Sequence, residues 1–195
     1  TTSQTFDGSI LTRPFFALNI NQEFVQVVAF PGLSTGSFLA QADRSLWGMD
    51  VNYKHAVGCC GDTNRGWFIG YRHLRMKESL TMTEFITALG PPGTPDPAGT
   101  KVIVQDFFGT ENRFNGAQLG WFSSRPLGQF DLDMRASVAL GATSQVVNIN
   151  AFQTRTFPNG VTQNFQGGLL GAGPNIGQFS NTAFSVVPEV TLNLG

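Results

Sequence analysis

Charge is what this sequence has least of. Of its 195 residues only 13% are Asp, Glu, Lys or Arg, about half of the roughly 25% usual in soluble domains. The 12 Lys+Arg against 13 Asp+Glu leave a formal net charge of -1. Without a basic field to neutralise phosphates, no nucleic-acid partner is expected. Cysteine is nearly absent too: the one pair, Cys59 and Cys60, is adjacent, cannot staple a small fold, and reads as two thiols in a loop. No run approaches the roughly 18 apolar residues of a membrane helix. That absence does not touch spanning strands, which alternate and escape hydropathy scans. No basic-then-apolar leader precedes Thr1, as expected of a processed chain. There is no fixed-period repeat, heptad or break in composition, so one domain is expected over residues 1–195. What is present instead is 23 Gly and 18 Phe, with Asn, Gln, Ser and Thr, a mixture that favours strands and turns over helices. Plentiful Phe, Leu, Ile and Val at low net charge exclude disorder.

Period-two alternation runs along most of the chain. From Asp131 to Leu140, one face takes Leu132, Met134, Ala136, Val138 and Leu140, and the other takes Asp131, Asp133, Arg135, Ser137 and Ala139. The last segment sets Phe184, Val186, Val190, Leu192 and Leu194 against Ser185, Glu189, Thr191 and Asn193. Pro188 falls on its apolar side and suggests a bulge or a strand entry. Ala117, Leu119 and Trp121 oppose Phe114, Gly116, Gln118 and Gly120, a second face small enough for a filled or watery interior. Trp67, Ile69 and Tyr71 oppose Phe68, Gly70 and Arg72, and the strand then turns polar at His73, Arg75 and Lys77. Thr81 and Glu84 have capping-box spacing, so a short helix to Leu89 competes with a continued strand. Trp47 to Tyr53 and Phe24 to Phe30 read as further strands, and Leu11 to Ile20 as a weaker one. Long loops are expected near 87–110 and 151–182. They alternate with short turns, as in a meander whose long loops gather at one end.

Chemical motifs are weak. Gly32, Ser34 and Gly36 match the Gly-x-Ser-x-Gly elbow, which needs a helix to follow and an acid and a histidine downstream. Strands surround His55 and His73 instead, so Ser34 reads as a loop serine. His55, Cys59, Cys60, Asp62 and His73 are the candidates for a metal cluster, but adjacent thiolates fit one tetrahedron poorly. Gly171, Gly173 and Gly177 lack the spacing of a dinucleotide loop. Asp131 and Asp133 share a strand face with Arg135, which neutralises them more readily than it makes them an acid–base pair. No catalytic residue, metal or cofactor is expected, and the chain does not read as an enzyme.

Several blocks resemble the planctomycete-type outer-membrane β-barrel proteins. Arg13-Pro14-Phe15-Phe16 looks like that family's early signature. Phe30-Pro31-Gly32, then Leu46-Trp47-Gly48 with Asn52, are similar to its next segments. Gly70, Tyr71, Arg72 and Leu74 match a strand, followed by Leu80-Thr81-Met82-Thr83-Glu84. Asn112, Phe114, Gly116, Gln118, Leu119 and Gly120 form another block. Gly168-Leu169-Leu170, Asn175-Ile176-Gly177 and Val186-Val187-Pro188-Glu189-Val190 follow in order. The resemblance implies an all-β fold, an antiparallel up-and-down transmembrane β-barrel. Its members continue past the position of Gly195, so the barrel is expected to be incomplete at its C-terminal side, with two unpaired edges. The Pro-rich stretch from Pro91 to Gly99 departs from the family pattern.

The expected role is that of a passive pore or structural envelope protein in the bacterial outer membrane. Its partners would be outer-membrane lipid, and itself or other envelope proteins. Arg72, Gln118, Asp131, Asp133, Arg135 and Glu189 are the lumen-facing candidates. Leu132, Met134, Ala136, Val138 and Leu140 are the lipid-facing ones, because a charge on the lipid face costs roughly 2–4 kcal/mol near the midplane. The rival is a soluble extracellular β-sandwich that self-assembles or binds a ligand through its loops. The two differ in which face is wet.

Overall fold

The computed structural model describes residues 2–6, 10–17, 21–60, 63–90 and 96–195, with side chains for 10–17, 21–57, 63–90 and 96–195. These described residues form nine strands: β1 (Thr2–Phe6), β2 (Leu11–Ala17), β3 (Gln22–Ala29), β4 (Ser34–Cys60), β5 (Thr63–Ala88), β6 (Lys101–Leu127), β7 (Phe130–Thr156), β8 (Thr162–Gln166) and β9 (Gly177–Leu194). Among the described residues the helical content is a single 3-10 turn, Gly173–Asn175. The main sheet runs β1-β4-β5-β6-β7-β8, and β9 also pairs with β7. β8 takes Phe152–Thr156 of β7, and β9 meets its other end, where Asp131 and Gly195 exchange both backbone hydrogen bonds.

Among the described residues no pairing joins β1 to β8 or β9, so in place of a closed barrel there is an open sheet, with the two unpaired edges that an incomplete barrel implies. The long loops are shorter than expected. Residues 101–110 are strand, with Val102, Val104 and Asp106 buried in alternation. Residues 151–156 extend β7, and 177–182 open β9. The helix considered after Thr81 is absent: β5 continues to Ala88, with Thr83 and Glu84 buried. Pro188 neither breaks nor begins β9, because β9 pairs on one side only among the described residues, and an edge tolerates a missing N–H.

The chain, expected as one domain, groups into two compact units. The first comprises Thr1–Arg44, Glu78–Thr110 and Val147–Phe179. Here the β2–β3 hairpin forms its own two-stranded sheet. Val28 in β3 is fully buried, and its carbonyl accepts the Ser34 hydroxyl. Ser34 therefore opens β4 as a satisfied structural serine, with no helix behind it. A Cβ on Gly36 would lie 2.5 Å from the carbonyl oxygens of both Val28 and Phe85, so only glycine allows this close an approach. Arg13 of β2 forms an ion pair with Glu84, contacts the Met82 sulfur, and stacks 4.8 Å from the Phe38 ring.

A second fixing point in this unit is Asp106. Its fully buried carboxylate accepts the backbone N–H groups of Leu169 at 3.3 Å, Leu170 at 3.1 Å and Gly171 at 2.8 Å. Three donors on one carboxylate offset its desolvation. Asn175 completes the turn by accepting from Ala172 N–H and donating to the Leu170 carbonyl. A Cβ on Gly168 would fall 2.2 Å from Asp106 Oδ1. The segments Arg-Pro-Phe-Phe, Leu80–Glu84, Gly168–Leu170 and Asn175 are thus partners of one another or of Asp106.

Candidate functional site

The second unit comprises Ser45–Lys77, Glu111–Val146 and Ser180–Gly195. Alternation sorts its side chains onto two unlike faces. The open face carries Trp47, Met49, Val51 and Tyr53 of β4, Trp67, Ile69 and Tyr71 of β5, and Leu119 and Trp121 of β6. It continues with Val138 and Leu140 of β7, and Phe184, Val186, Val190, Leu192 and Leu194 of β9. These side chains are exposed, Val51 to 64% and Val190 to 74%. A soluble sandwich would bury this face against a second sheet.

The opposite, partly covered face holds the polar groups, with Gln118 and Phe68 buried and Asp50, Lys54 and Asp133 exposed. Asp50 accepts from Arg135 at 2.8 Å, from Gln118 at 3.2 Å and from Asn52. Gln118 also donates to Asn52 Oδ1 at 2.5 Å and is only 1% exposed. The Arg135 guanidinium lies 4.4 Å from the Phe68 ring centroid, a stacked cation over a fully buried ring. Arg72 pairs with Glu189, whose other neighbour is the Thr191 hydroxyl at 3.4 Å. Lys54 Nζ sits 5.6 Å from the Phe122 ring centroid. A cavity of about 580 Å³ opens on this face, lined by Lys54, Asn64, Asp133, Arg135, Thr191 and Asn193.

The glycines on this face are mortised by rings. A Cβ on Gly120 would meet Phe68 Cζ at 2.2 Å and the Ala136 carbonyl at 2.7 Å. The small residues read as room in the sequence are therefore filled in part by Phe68, which leaves the remaining space to Arg135 and its partners. Gly120→Val should cost about 1–3 kcal/mol by overpacking, read as a lower urea midpoint, whereas Ala117→Val on the open face should not.

The lumen-facing candidates are brought together unevenly. Gln118 and Arg135 meet on Asp50, Arg72 meets Glu189, and Asp133 lines the cavity. Asp131 stays exposed at the strand end. Of the lipid-facing candidates, Ala136, Val138 and Leu140 are exposed, Leu132 is half-buried, and Met134 lines the cavity beside Asp133. Asp50, Asn52 and Lys54 were not among the candidates, although they alternate with Met49, Val51 and Tyr53 just as Asp133 and Arg135 alternate with Met134 and Ala136. Their importance comes from partners 66 to 85 positions away. Of the metal candidates, the side chains of Cys59, Cys60 and Asp62 lie outside the described residues, and no group of three metal-binding side chains occurs among the described residues.

A polar strip of paired charges beneath an open apolar face can pass water and ions on one side while presenting grease on the other. The model of the Putative beta barrel porin-7 (BBP7) family matches residues 1–195. No curated protein matches the chain.

Proposed function

The chain belongs to the beta barrel porin-7 family, and from that membership we propose that it is a passive pore of the bacterial outer membrane. The strands of the second unit would cross the bilayer. One observation carries this reading: between its charged ends the exposed face is apolar on all five strand segments, and the ion pairs Asp50–Arg135 and Arg72–Glu189 lie on the other. The length of the apolar stretch fits as well. On β5, Arg65 and Arg75 bracket nine residues, and on β6, Arg113 and Arg125 bracket eleven. Between them the open face holds no Asp, Glu, Lys or Arg. A tilted strand crosses the hydrocarbon in about 9–11 residues.

Lys54, Arg72 and Arg135 stand against Asp50, Asp133 and Glu189 on the covered face. These three cations and three anions balance, and the fourth anion of this face, Asp131, lies exposed at the strand end, so the path should have little preference for ion sign. The test is reconstitution of the chain into a planar bilayer under a KCl gradient. Conductance steps with a reversal potential near zero are expected. Lys54→Glu, which removes a cation and adds an anion beside the cavity, should move the reversal potential toward cation preference. A chain that inserts but never conducts would leave a structural envelope role in place of the pore.

A further inference from the structure

The open face of the second unit does not stay apolar to the end of its strands. Along β5 its alternate positions read Trp67, Ile69, Tyr71, His73, Arg75, Lys77, and along β6 they read Trp121, Leu119, Ala117, Asn115, Arg113, Glu111. Both strands pass from grease through amphipathic groups to charge, side by side. The middle rung is ordered: Asn115 Oδ1 accepts the Tyr71 hydroxyl at 2.6 Å and lies 2.8 Å from His73 Nδ1, while Trp47 meets the His73 ring edge-on at 5.4 Å. The last rung gathers around one carboxylate. Glu111 lies 2.6 Å from Arg75 Nε, 3.8 Å from Lys77 Nζ, and in direct hydrogen bond with Arg113. Those bonds from Arg113 and Arg75 draw the Glu111 pKa down to about 2, so it stays ionised.

Three cations share one anion here, leaving two positive charges in excess. Arg113 and Lys77 are half exposed, and Arg75 and Arg113 each meet Glu111 through Nε. Arginine forks suit phosphate oxygens. We propose that Arg75, Lys77 and Arg113, gathered on Glu111, bind the phosphate of an anionic lipid headgroup whose acyl chains lie along Ile69, Tyr71, Ala117 and Leu119. This inference rests on the membrane-spanning reading above. The occupant is a lipid and not free phosphate, because the cations continue directly from the apolar face on the same two strands. The aromatic rung lies between, where interfacial Trp and Tyr belong.

The test uses the full chain in detergent, with native mass spectrometry reading bound phosphatidylglycerol against diacylglycerol and inorganic phosphate. Insertion into phosphatidylcholine vesicles is scored separately by resistance to carbonate washing. The wild type should retain phosphatidylglycerol and neither of the others. Arg75→Gln/Lys77→Gln/Arg113→Gln should weaken retention between about tenfold and a hundredfold, since each basic group near an anionic lipid counts for roughly one decade or less. Arg75→Lys/Arg113→Lys, which keeps the charges and loses the forks, should weaken it less than the triple variant does, and Arg65→Gln/Arg125→Gln at the other end of the apolar stretch should change it little. Equal retention by the triple variant and the wild type, with both inserting, overturns the lipid site and leaves the spanning reading intact. Equal binding of inorganic phosphate and phosphatidylglycerol overturns the lipid as the occupant. A wild type washed from the vesicles overturns both readings.

Discussion

Arg13→Ala is expected to destabilise the first unit by about 3–5 kcal/mol, because it strands a buried carboxylate without its counter-charge. Glu84 has no exposed side-chain surface and Arg13 little, so water cannot replace the lost partner. Burial already pushes the Glu84 pKa up. Arg13 pulls it back, and the nearby Asp106 raises it further. The effect should therefore depend on pH, with a definite sign. A carboxyl whose folded pKa exceeds its unfolded value binds its proton more readily when folded. Its contribution favours the folded state as pH falls toward 4.5 and is lost as pH rises through the raised folded value. In Arg13→Ala the folded pKa climbs further, so the variant should regain stability on mild acidification more than the wild type does. Urea unfolding at several pH values measures both effects. Arg13→Met/Glu84→Leu should recover most of the loss, since an apolar pair of similar volume often replaces a buried ion pair at little cost. A single Arg13→Ala variant with an unchanged urea midpoint would show that the hairpin is not held by this pair.

Leu119→Arg is expected to cost about 2–4 kcal/mol in a bilayer. Leu119 is 56% exposed and lies midway between Arg113 and Arg125 on β6. Ile69 lies one residue from the midpoint between Arg65 and Arg75 on β5, and Ile69→Arg should cost about the same. Both positions face outward, so in water neither substitution should cost more than a few tenths of a kcal/mol. The comparison of vesicle-bound and detergent-free unfolding thus separates a lipid-facing surface from a wet one. Thr191→Arg provides the internal control. It places the same charge beside the cavity on the covered face, and its effect should appear in ion selectivity rather than in membrane stability. Leu119→Arg behaving like Thr191→Arg in vesicles would return the argument to a soluble fold.

Alternation with a period of two is a local property, so within the strands that it marked the sequence alone determined which residues share a face. Trp67, Ile69 and Tyr71 opposite Phe68, Gly70 and Arg72 are where the alternation puts them, and so are Val138 and Leu140 opposite Ser137 and Ala139. The scarcity of charge, confined to alternate positions, also pointed to an apolar open face before any pairing was known. The same rule failed where a buried position is polar. Asp106 sits in line with Val102 and Val104, and reads as loop until the backbone of Leu169 to Gly171 is seen to satisfy it.

Partners belong to the tertiary structure, because register accumulates over strands of 26 and 27 residues before it brings two side chains together. Nothing local connects Arg13 with Glu84, 71 positions on, or Asp50 with Arg135, 85 positions on. The family blocks marked Arg13 and Glu84 without saying what they do, and left Asp50 and Arg135 unmarked. The open sheet edges, the ring of Phe68 seated on Gly120, and the three cations gathered on Glu111 were likewise decided by pairing, which no single strand carries in its own pattern.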